Sequence, residues 1–252
     1  MTNKYAVPAL DKGLDILEFL ATQEAPLSQA EIALALERSS NEIYRVLIGL
    51  ESRGYLYRNS ESAKYVMSLK LYTLSRRISP LDRIRRHALP LMEDLAFNCG
   101  QSCYLSMLYQ SQSMVIVNAN NHGPITLAVA EGVLSAPSRS AAGQILLANS
   151  KPTVQAMILE RDDHFNELKN EEKSTLYLIL DQTKKDQYAV AESSFLPGIT
   201  EISTLIGKPD GQIVASLTIP MLPTQTKTAP SEQLKQAMIQ TAKQISLEIN
   251  NG

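Results

Sequence analysis

Residues 28–67, SQAEIALALERSSNEIYRVLIGLESRGYLYRNSESAKYVM, decide the fold of the first part of the chain. Ser28 and Glu31 fit a capping box, in which each side chain accepts a hydrogen bond from the backbone N–H of the other, so a helix is predicted to begin at Ser28. Ser39 and Glu42 have the same spacing and predict the start of a second helix. The two boxes are so close together that only a tight turn separates the two short helices.

The second of these helices has one apolar and one polar face. Ile43 and Leu47 lie on the apolar face, and Gly54 suits the position just beyond the end of a helix. Two β-type runs follow at residues 55–57 and 64–67, and the polar loop between them predicts a hairpin.

A further helix is predicted before the capping boxes. Leu10, Leu14 and Leu17 recur at helical spacing, with Leu20 and Ala21 continuing the stripe, so we expect this face of the helix to be buried. Three helices followed by a hairpin indicate a winged helix-turn-helix.

The helix-turn-helix itself consists of the two helices that begin at the capping boxes. The motif places the second of them, which begins at Ser39, in the major groove of DNA, where the first residues of this helix meet base edges. Arg45 can address guanine or a phosphate, Asn41 can pair with adenine, and cations of the wing can reach a neighbouring phosphate or the minor groove. The alternative is a three-helix module that binds another protein and makes no DNA contact. The predicted DNA-binding residues are Arg38, Ser39, Ser40, Asn41, Tyr44, Arg45, Arg58 and Lys64.

The net charge of the chain hides a difference between its two parts. The 252 residues include 24 Lys and Arg and 26 Asp and Glu, and the resulting charge of −2 taken alone argues against a nucleic-acid-binding protein. Residues 1–87 contain 13 basic and 10 acidic residues, a net of +3, whereas the remainder contains 11 and 16, a net of −5. The asymmetry favours a polyanionic partner for the N-terminal part.

Several classes of protein are disfavoured by composition. Cys99 and Cys103 are too few for a disulfide framework or a zinc site, and we expect both to be structural. The first residues lack the apolar core of a signal peptide, and no run approaches the length of a membrane span. We therefore expect a cytoplasmic protein that has no membrane partner, metal or cofactor.

Residues beyond about 87 mix helical and strand-like segments, which predicts an α+β domain. A turn is predicted at residues 208–211. The predicted helices are 87–98, 141–148, 153–160, 174–186 and 231–250, and the predicted strands are 104–109, 114–119, 125–130, 188–192, 199–206 and 212–219.

The chain resembles the IclR family of bacterial transcriptional regulators over nearly its whole length. The resemblance is carried by VPALDKGLDILEFLA (residues 7–21), LSQAEIALALERSSNEIYRVLIGLESRGYLYRN (27–59), HALPLMEDLAFNCGQSCYLSML (87–108), SAAGQILLA (140–148) and YAVAESSFLPGITEI (188–202). Order and spacing agree throughout.

The resemblance implies a winged helix-turn-helix domain at residues 1–77, a linker helix at 78–87, and a GAF-like α/β effector domain with a mixed or antiparallel sheet at 88–252. It also implies dimers or tetramers that bind double-stranded, pseudo-palindromic operator DNA and repress or activate catabolic operons in response to a small metabolite. The effector positions carried over from the family are Ser138, Arg139, Ser140, Ala141 and Ala142, with candidates Glu192, Glu201, Ser203, Ser216 and Thr218 in the later strands.

The later strands also depart from the family pattern. Residues 191–194, Ala-Glu-Ser-Ser, stand where relatives often have a run of acidic residues, and Glu201 stands where they frequently have cysteine. Strand alternation places Glu201 and Ser203 on one face and Thr200, Ile202, Thr204 and Ile206 on the other, and it likewise pairs Ser216 with Thr218.

Three hypotheses for Glu201 stay open. A buried carboxylate needs a cation or several hydroxyl donors, and Arg139 can supply the cation. Either Arg139 is free to hold the carboxylate of an organic or sugar acid, or it pairs with Glu201 and the ligand is mainly polyhydroxylated. In the third hypothesis Glu201 points outward and the site has only Ser140, Ser216 and Thr218.

An enzyme is not expected. The sequence around Ser138 and Ser140 is not a Gly-x-Ser-x-Gly elbow, and a nucleophilic serine needs a positioned base. His87, His122 and His164 lie in a connector, a turn-like stretch and a charged stretch.

Overall fold

The computed structural model describes residues 7–75, 77, 79–208, 214–221 and 230–251. The chain divides into two compact units, residues 1–78 and 79–252. The turn predicted at residues 208–211 lies, apart from Lys208, outside the described residues. The finer predicted division into residues 1–77, 78–87 and 88–252 stays a prediction.

The first unit is the predicted winged helix-turn-helix. Both capping boxes form, at the start of α2 and of α3, and the two strands pair antiparallel with Tyr57 opposite Val66. Leu27 adds a single antiparallel bridge to Tyr65, so a short third chain segment joins the wing. The elements are α1 Pro8–Ala21, α2 Gln29–Ala35, α3 Ser40–Ser52, β1 Leu56–Arg58, β2 Tyr65–Met67 and α4 Lys70–Ser75.

The core of this unit corrects the predicted face of α1. Leu10 and Leu14 are 57% and 46% exposed, whereas Gly13, Ile16 and Leu20 are buried. Helix α1 carries apolar residues on two faces, so helical periodicity alone does not decide which face packs. The buried face is the one that meets α3, where Gly13 lies beside Val46 and a Cβ on Gly13 would make an ordinary contact with Val46 Cγ1 at 3.6 Å.

The second unit is built on a six-stranded sheet in the order β5-β4-β3-β8-β7-β6, and every pairing among the described strands is antiparallel. The predicted α+β class is confirmed. The strands are β3 Cys103–Tyr109, β4 Gln112–Ala119, β5 Leu134–Ser135, β6 Tyr188–Glu192, β7 Thr200–Gly207 and β8 Val214–Met221.

Helices cover both faces of this sheet. Two of them pack on one face around a large apolar cluster that includes Ile202, Leu217 and Met238, and the others pack on or near the opposite face. The helices on the first face are α5 Ser79–Cys99 and α10 Glu232–Asn251; the others are α6 Ala141–Asn149, α7 Pro152–Glu160, α8 Asp163–Glu167 and α9 Asn170–Asp186.

Two differences from the predicted elements have physical reasons. Helix α5 runs from Ser79 through Pro90 to Cys99, so residues 79–87 of the predicted linker continue into the helix predicted at 87–98. The strand predicted at residues 125–130 is wrong, because this apolar run lies in the loop between β4 and β5 and pairs with no strand. Val129 still packs against the cluster of Tyr104, Val115 and Ala142, which explains its apolar character without strand pairing.

Candidate DNA-binding surface and effector site

The start of α3 is fixed by a closed set of hydrogen bonds. Glu42 N donates to Ser39 Oγ at 3.3 Å, and Ser39 N donates to Glu42 Oε2 at 3.0 Å. Lys12 of α1 donates to Glu42 Oε1 at 3.2 Å. The bonds from the Ser39 backbone and hydroxyl, and then that from Lys12, lower the pKa of Glu42 to about 2. Glu42 therefore stays ionised and holds the end of α3 to α1.

The predicted base-reading residues project from the exposed face of α3. Ile43 and Leu47 are fully buried on one side, and Ser40, Asn41, Tyr44 and Arg45 are exposed on the other. Arg45 forms no ion pair with any described residue, so its guanidinium is available to an external partner.

Three predicted cations near α3 already have internal partners. Arg38, in the turn between α2 and α3, bonds to Asp15 at 2.7 Å, and Lys64 of the wing lies 3.5 Å from Glu31. Arg58 Nε donates to Ala63 O at 3.0 Å, and its guanidinium lies over the ring of Tyr65. These contacts hold the cations at the surface, and any external anion would have to compete with them.

In the second unit the predicted strand alternation is confirmed. Ile202, Ile206, Leu217 and their neighbours face α5 and α10, while four polar candidates lie on the opposite face and are fully buried. We call this second face the polar face; it consists of Tyr104, Glu201, Ser203, Ser216 and Thr218.

A row of side chains crosses the polar face. Tyr104 stands directly opposite Thr218, which stands opposite Ser203 on its other side. Ser203 Oγ and Thr218 Oγ1 are 2.9 Å apart and share a hydrogen bond. Ser216 Oγ donates weakly to Ser106 O at 3.4 Å. The register thus places three hydroxyl-bearing residues side by side on adjacent strands.

Glu201 is the charged residue of this face. Its side chain is fully buried, so the hypothesis that it points outward is wrong. Ser193 Oγ donates to Oε1 at 2.7 Å, whereas Oε2 has no hydrogen bond of ordinary geometry to a described residue. Burial raises the pKa of Glu201, against opposing effects of Ser193 and Tyr104. Burial and the Glu201 charge together raise the pKa of Tyr104 well above its usual value.

Ser138 and Ser140 have local structural partners. Ser140 caps α6, with its Oγ accepting from Gly143 N at 3.1 Å, and it also accepts from Ser135 Oγ. Ser138 N donates to Asp162 at 2.8 Å, and Ser138 Oγ lies 2.8 Å from His164 Nδ1. Both hydroxyls are therefore engaged within the protein.

The small residues at the start of α6 allow close packing over the sheet. Ala141 and Ala142 are buried, and Ala142 packs against Tyr104 of the polar face. A Cβ on Gly143 would lie 2.2 Å from Pro137 Cα, so this position admits no side chain without movement of the backbone. We infer that these residues shape the boundary of the polar face by packing.

Arg139 and Glu192 are not brought to the polar face. Arg139 is exposed between two buried serines, and the predicted ion pair with Glu201 is absent between these two described residues. Glu192 is exposed, lies opposite Thr200 on the other face of the sheet, and accepts a hydrogen bond from Gly198 N at 3.0 Å. The alternation of strand β6 explains this, because its neighbour Ala191 is the residue opposite Glu201.

Comparison with protein families matches both units. The family described as bacterial transcriptional regulator IclR C-terminal matches residues 78–247, which is more than half of the chain, and the IclR helix-turn-helix domain matches residues 9–60. This chain belongs to the IclR family. The family expectation is therefore confirmed, and with it the helix-turn-helix and the class of transcriptional regulator.

IclR-family relatives align along most of their length. The chain is 24% identical to the HTH-type transcriptional regulator BhcR of Paracoccus denitrificans over 242 residues, covering 95% of this chain and 86% of the relative. It is 25% identical to KdgR of Escherichia coli over 240 residues, covering 94% and 90%.

Solved IclR structures share the fold at lower identity. An IclR homolog from Microbacterium hydrocarbonoxydans, complexed with 4-hydroxybenzoate, has a TM-score of 0.79 and 20% identity and covers 97% of this chain and 100% of its own. The Thermotoga maritima IclR has a TM-score of 0.71 and 22% identity and covers 95% and 98%.

The described residues hold no group of three or more His, Cys, Asp or Glu arranged to bind a metal ion, and none of their helices is long and apolar enough to cross a membrane. Cys99 and Cys103 are free thiols, and burial raises the pKa of Cys103 to about 12, so it is an unreactive core residue.

The contact between Ser138 and His164 is the arrangement nearest to a catalytic one, and sequence reasoning missed it. A working pair needs an accessible nucleophile and a group that orients the histidine. Ser138 is only 3% exposed, and the Asp162 carboxylate bonds to the backbone N–H groups of Ser138 and Phe165. The geometry is that of a structural contact between the loop before α6 and helix α8.

Sequence reasoning also missed Tyr104, Ser193 and Gln144. Gln144 donates to Ser138 O, and its buried Oε1 has no partner among the described residues. Tyr104 reaches the polar face through the pairing of β3 with β8, which joins residues more than a hundred positions apart. For Ser193 the sequence did offer a signal, because this serine lies in residues 191–194, which stand in place of an acidic run. For Tyr104 and Gln144 it offered none.

Proposed function

We propose that this regulator binds operator DNA through the exposed start of α3 and the wing. The single observation that carries the proposal is that a doubly capped, rigid α3 presents Ser40, Asn41, Tyr44 and Arg45 to solvent while its other face is buried. An α-helix fits the major groove, and Arg and Asn are suited to guanine and adenine edges. Arg58 and Lys64 of the wing then contact the sugar-phosphate backbone of the DNA beside the bases that α3 contacts.

We further propose that a small metabolite binds at the polar face and changes the affinity for DNA. A fully buried carboxylate is costly, and Oε2 of Glu201 has no hydrogen bond of ordinary geometry to a described residue, so a ligand or water can satisfy it. Oε2 of an ionised Glu201 accepts hydrogen bonds, so the ligand we favour donates hydroxyl groups to it. A hydroxylated organic or sugar acid supplies such groups.

Control of DNA binding requires that the ligand prefer one arrangement of the protein over another. A hundredfold change in affinity needs about 2.7 kcal/mol of differential binding. We propose that two copies of the chain bind the two halves of a pseudo-palindromic site, since a twofold protein matches a twofold operator.

A gel shift with the DNA upstream of the regulator's own coding sequence tests the first proposal. We expect Arg45→Ala to relax base preference and Lys64→Ala to lower the salt slope by about one. Arg53→Ala, which changes the same charge just beyond α3, is the matched control. If Arg45→Ala and Lys64→Ala both bind the DNA as the parent does, the N-terminal unit is better described as a module that binds another protein.

A thermal-shift screen of organic acids, sugar acids, lactones and aromatic acids tests the second proposal. We expect a stabilising ligand whose effect is lost in Glu201→Ala, while the variant keeps its operator affinity without ligand. An identical ligand profile in the variant would reject the polar face as the site.

A further inference from the structure

A cavity of about 470 Å³ lies in the second unit, and its lining includes none of the polar-face residues. It sits at the edge of the sheet, where β7 continues past the start of β6: Tyr188 pairs with Thr204, and residues 205–207 extend beyond the pairing with β6. The ends of α6 and α9 and one side of α10 complete its wall. Its volume is in the range of small-molecule sites.

The lining of this cavity combines apolar and positively charged groups. Leu205, Ile239 and Leu247 supply apolar surface, and Lys184 and Lys208 and Lys243 supply three ammonium groups. None of these three lysines forms an ion pair or hydrogen bond with a described residue, and no Asp or Glu is among the described lining residues. All three lysines are solvent-exposed, so water and salt screen most of their mutual repulsion, and an anion bound between them would remove the rest.

Only one of these three lysines lies where its charge stabilises a helix end. Lys184 is in the last turn of α9, where a cation stabilises the helix dipole. Lys243 lies two turns before the end of α10, and Lys208 follows a strand, so neither has this role. Their convergence on the cavity therefore calls for a different partner.

We propose that this lysine cavity binds a small organic anion, with two negative charges on a short apolar skeleton, such as a phosphate monoester or a dicarboxylate. The ammonium groups hold the charges, and the leucines and Ile239 bury the skeleton. This site is separate from the polar face and does not depend on the role proposed for Glu201.

Titration calorimetry with phenyl phosphate tests the proposal. Inorganic phosphate supplies the charge without the skeleton, and benzyl alcohol supplies the ring without the charge. We expect saturable binding of phenyl phosphate that is tighter than that of either fragment. Each of Lys184→Gln, Lys208→Gln and Lys243→Gln should weaken it about two- to fivefold, the usual effect of one partly exposed ion pair.

Lys185→Gln is the matched control, because it removes the same charge from the next residue of α9 outside the cavity. If Lys185→Gln weakens the binding of phenyl phosphate as much as the cavity variants do, the effect comes from the net charge of the protein and not from the cavity. This result would overturn the proposal. If the three cavity variants bind phenyl phosphate as the parent does and Glu201→Gln does not bind it, the ligand binds at the polar face. This result would also overturn the proposal. Equal affinity for inorganic phosphate would remove the organic anion as the ligand.

Discussion

Ser193→Ala should destabilise the effector domain in a way that depends on the charge of Glu201. The Ser193 hydroxyl donates to the buried carboxylate at 2.7 Å and also accepts from Phe195 N at 3.2 Å. A hydrogen bond to a charged group contributes about 1.5–3 kcal/mol, and a neutral one about 0.5–1.5 kcal/mol. We therefore expect Ser193→Ala to cost about 1–1.5 kcal/mol more when Glu201 is ionised than when it is neutral.

The background variant Glu201→Gln isolates this difference. Glutamine keeps an acceptor oxygen but no charge, and the contact with Phe195 is lost equally in both backgrounds, so the double-mutant cycle reports the difference between the charged and the neutral hydrogen bond. Urea unfolding of the full chain, followed by circular dichroism, measures the free energy of unfolding of the four proteins.

The cost of Ser193→Ala should also rise with pH. Burial raises the pKa of Glu201, so the side chain is protonated in the folded state over an acidic range in which it is already ionised in the unfolded state. The Ser193 bond favours the ionised form, so its loss matters most above the pKa of the folded protein. A cost that is equal in the two backgrounds and constant with pH would refute the assignment of Ser193 as the partner of an ionisable Glu201.

Three further predictions concern single positions. Ser39→Ala removes the acceptor for Glu42 N and should cost the N-terminal unit about 1 kcal/mol of stability, measured by urea unfolding, with weaker operator binding in the same preparation. Gly143→Ala should destabilise by about 1–3 kcal/mol because its Cβ meets Pro137, whereas Gly49→Ala, with nothing within 4 Å, should be neutral or stabilising; equal melting temperatures would contradict this. Glu201→Gln should gain stability relative to the parent as pH rises from the unfolded-state pKa through the raised folded-state pKa, and parallel pH profiles would count against the burial effect.

Most of the N-terminal unit could be predicted from the sequence because its signals are local. A capping box spans four residues, and the hydrogen bonds of Ser28 with Glu31 and Ser39 with Glu42 form as the spacing predicts. The buried face of α1 could not be predicted, because apolar residues lie on two of its faces and only the packing against α3 decides which face is buried. A stripe of leucines looks like a core face until that partner is known.

The polar face could be predicted only in part from the sequence. Alternation along one strand correctly placed Glu201 with Ser203, since side chains in a strand alternate regardless of what lies beside it. Alternation does not tell which strand is adjacent or how it is registered, so Tyr104 was missed. Arg139 was matched to Glu201 by charge, but it extends from a loop whose backbone, held by Ser138 and Ser140, leaves its side chain exposed.

The ion pairs of the N-terminal unit lower the number of its cations that are available to DNA phosphates. Lys12, Arg38 and Lys64 each have an acidic partner, so a phosphate must displace a carboxylate before it gains these cations. If the pairs stay closed, few phosphates are neutralised and the dependence of affinity on salt, about −0.9 per phosphate, is shallow. Binding then depends on base contacts such as that of Arg45 and on two linked DNA-binding units. A steep salt slope would instead show that the pairs open on DNA, and Asp15→Asn, which frees Arg38, should then tighten binding.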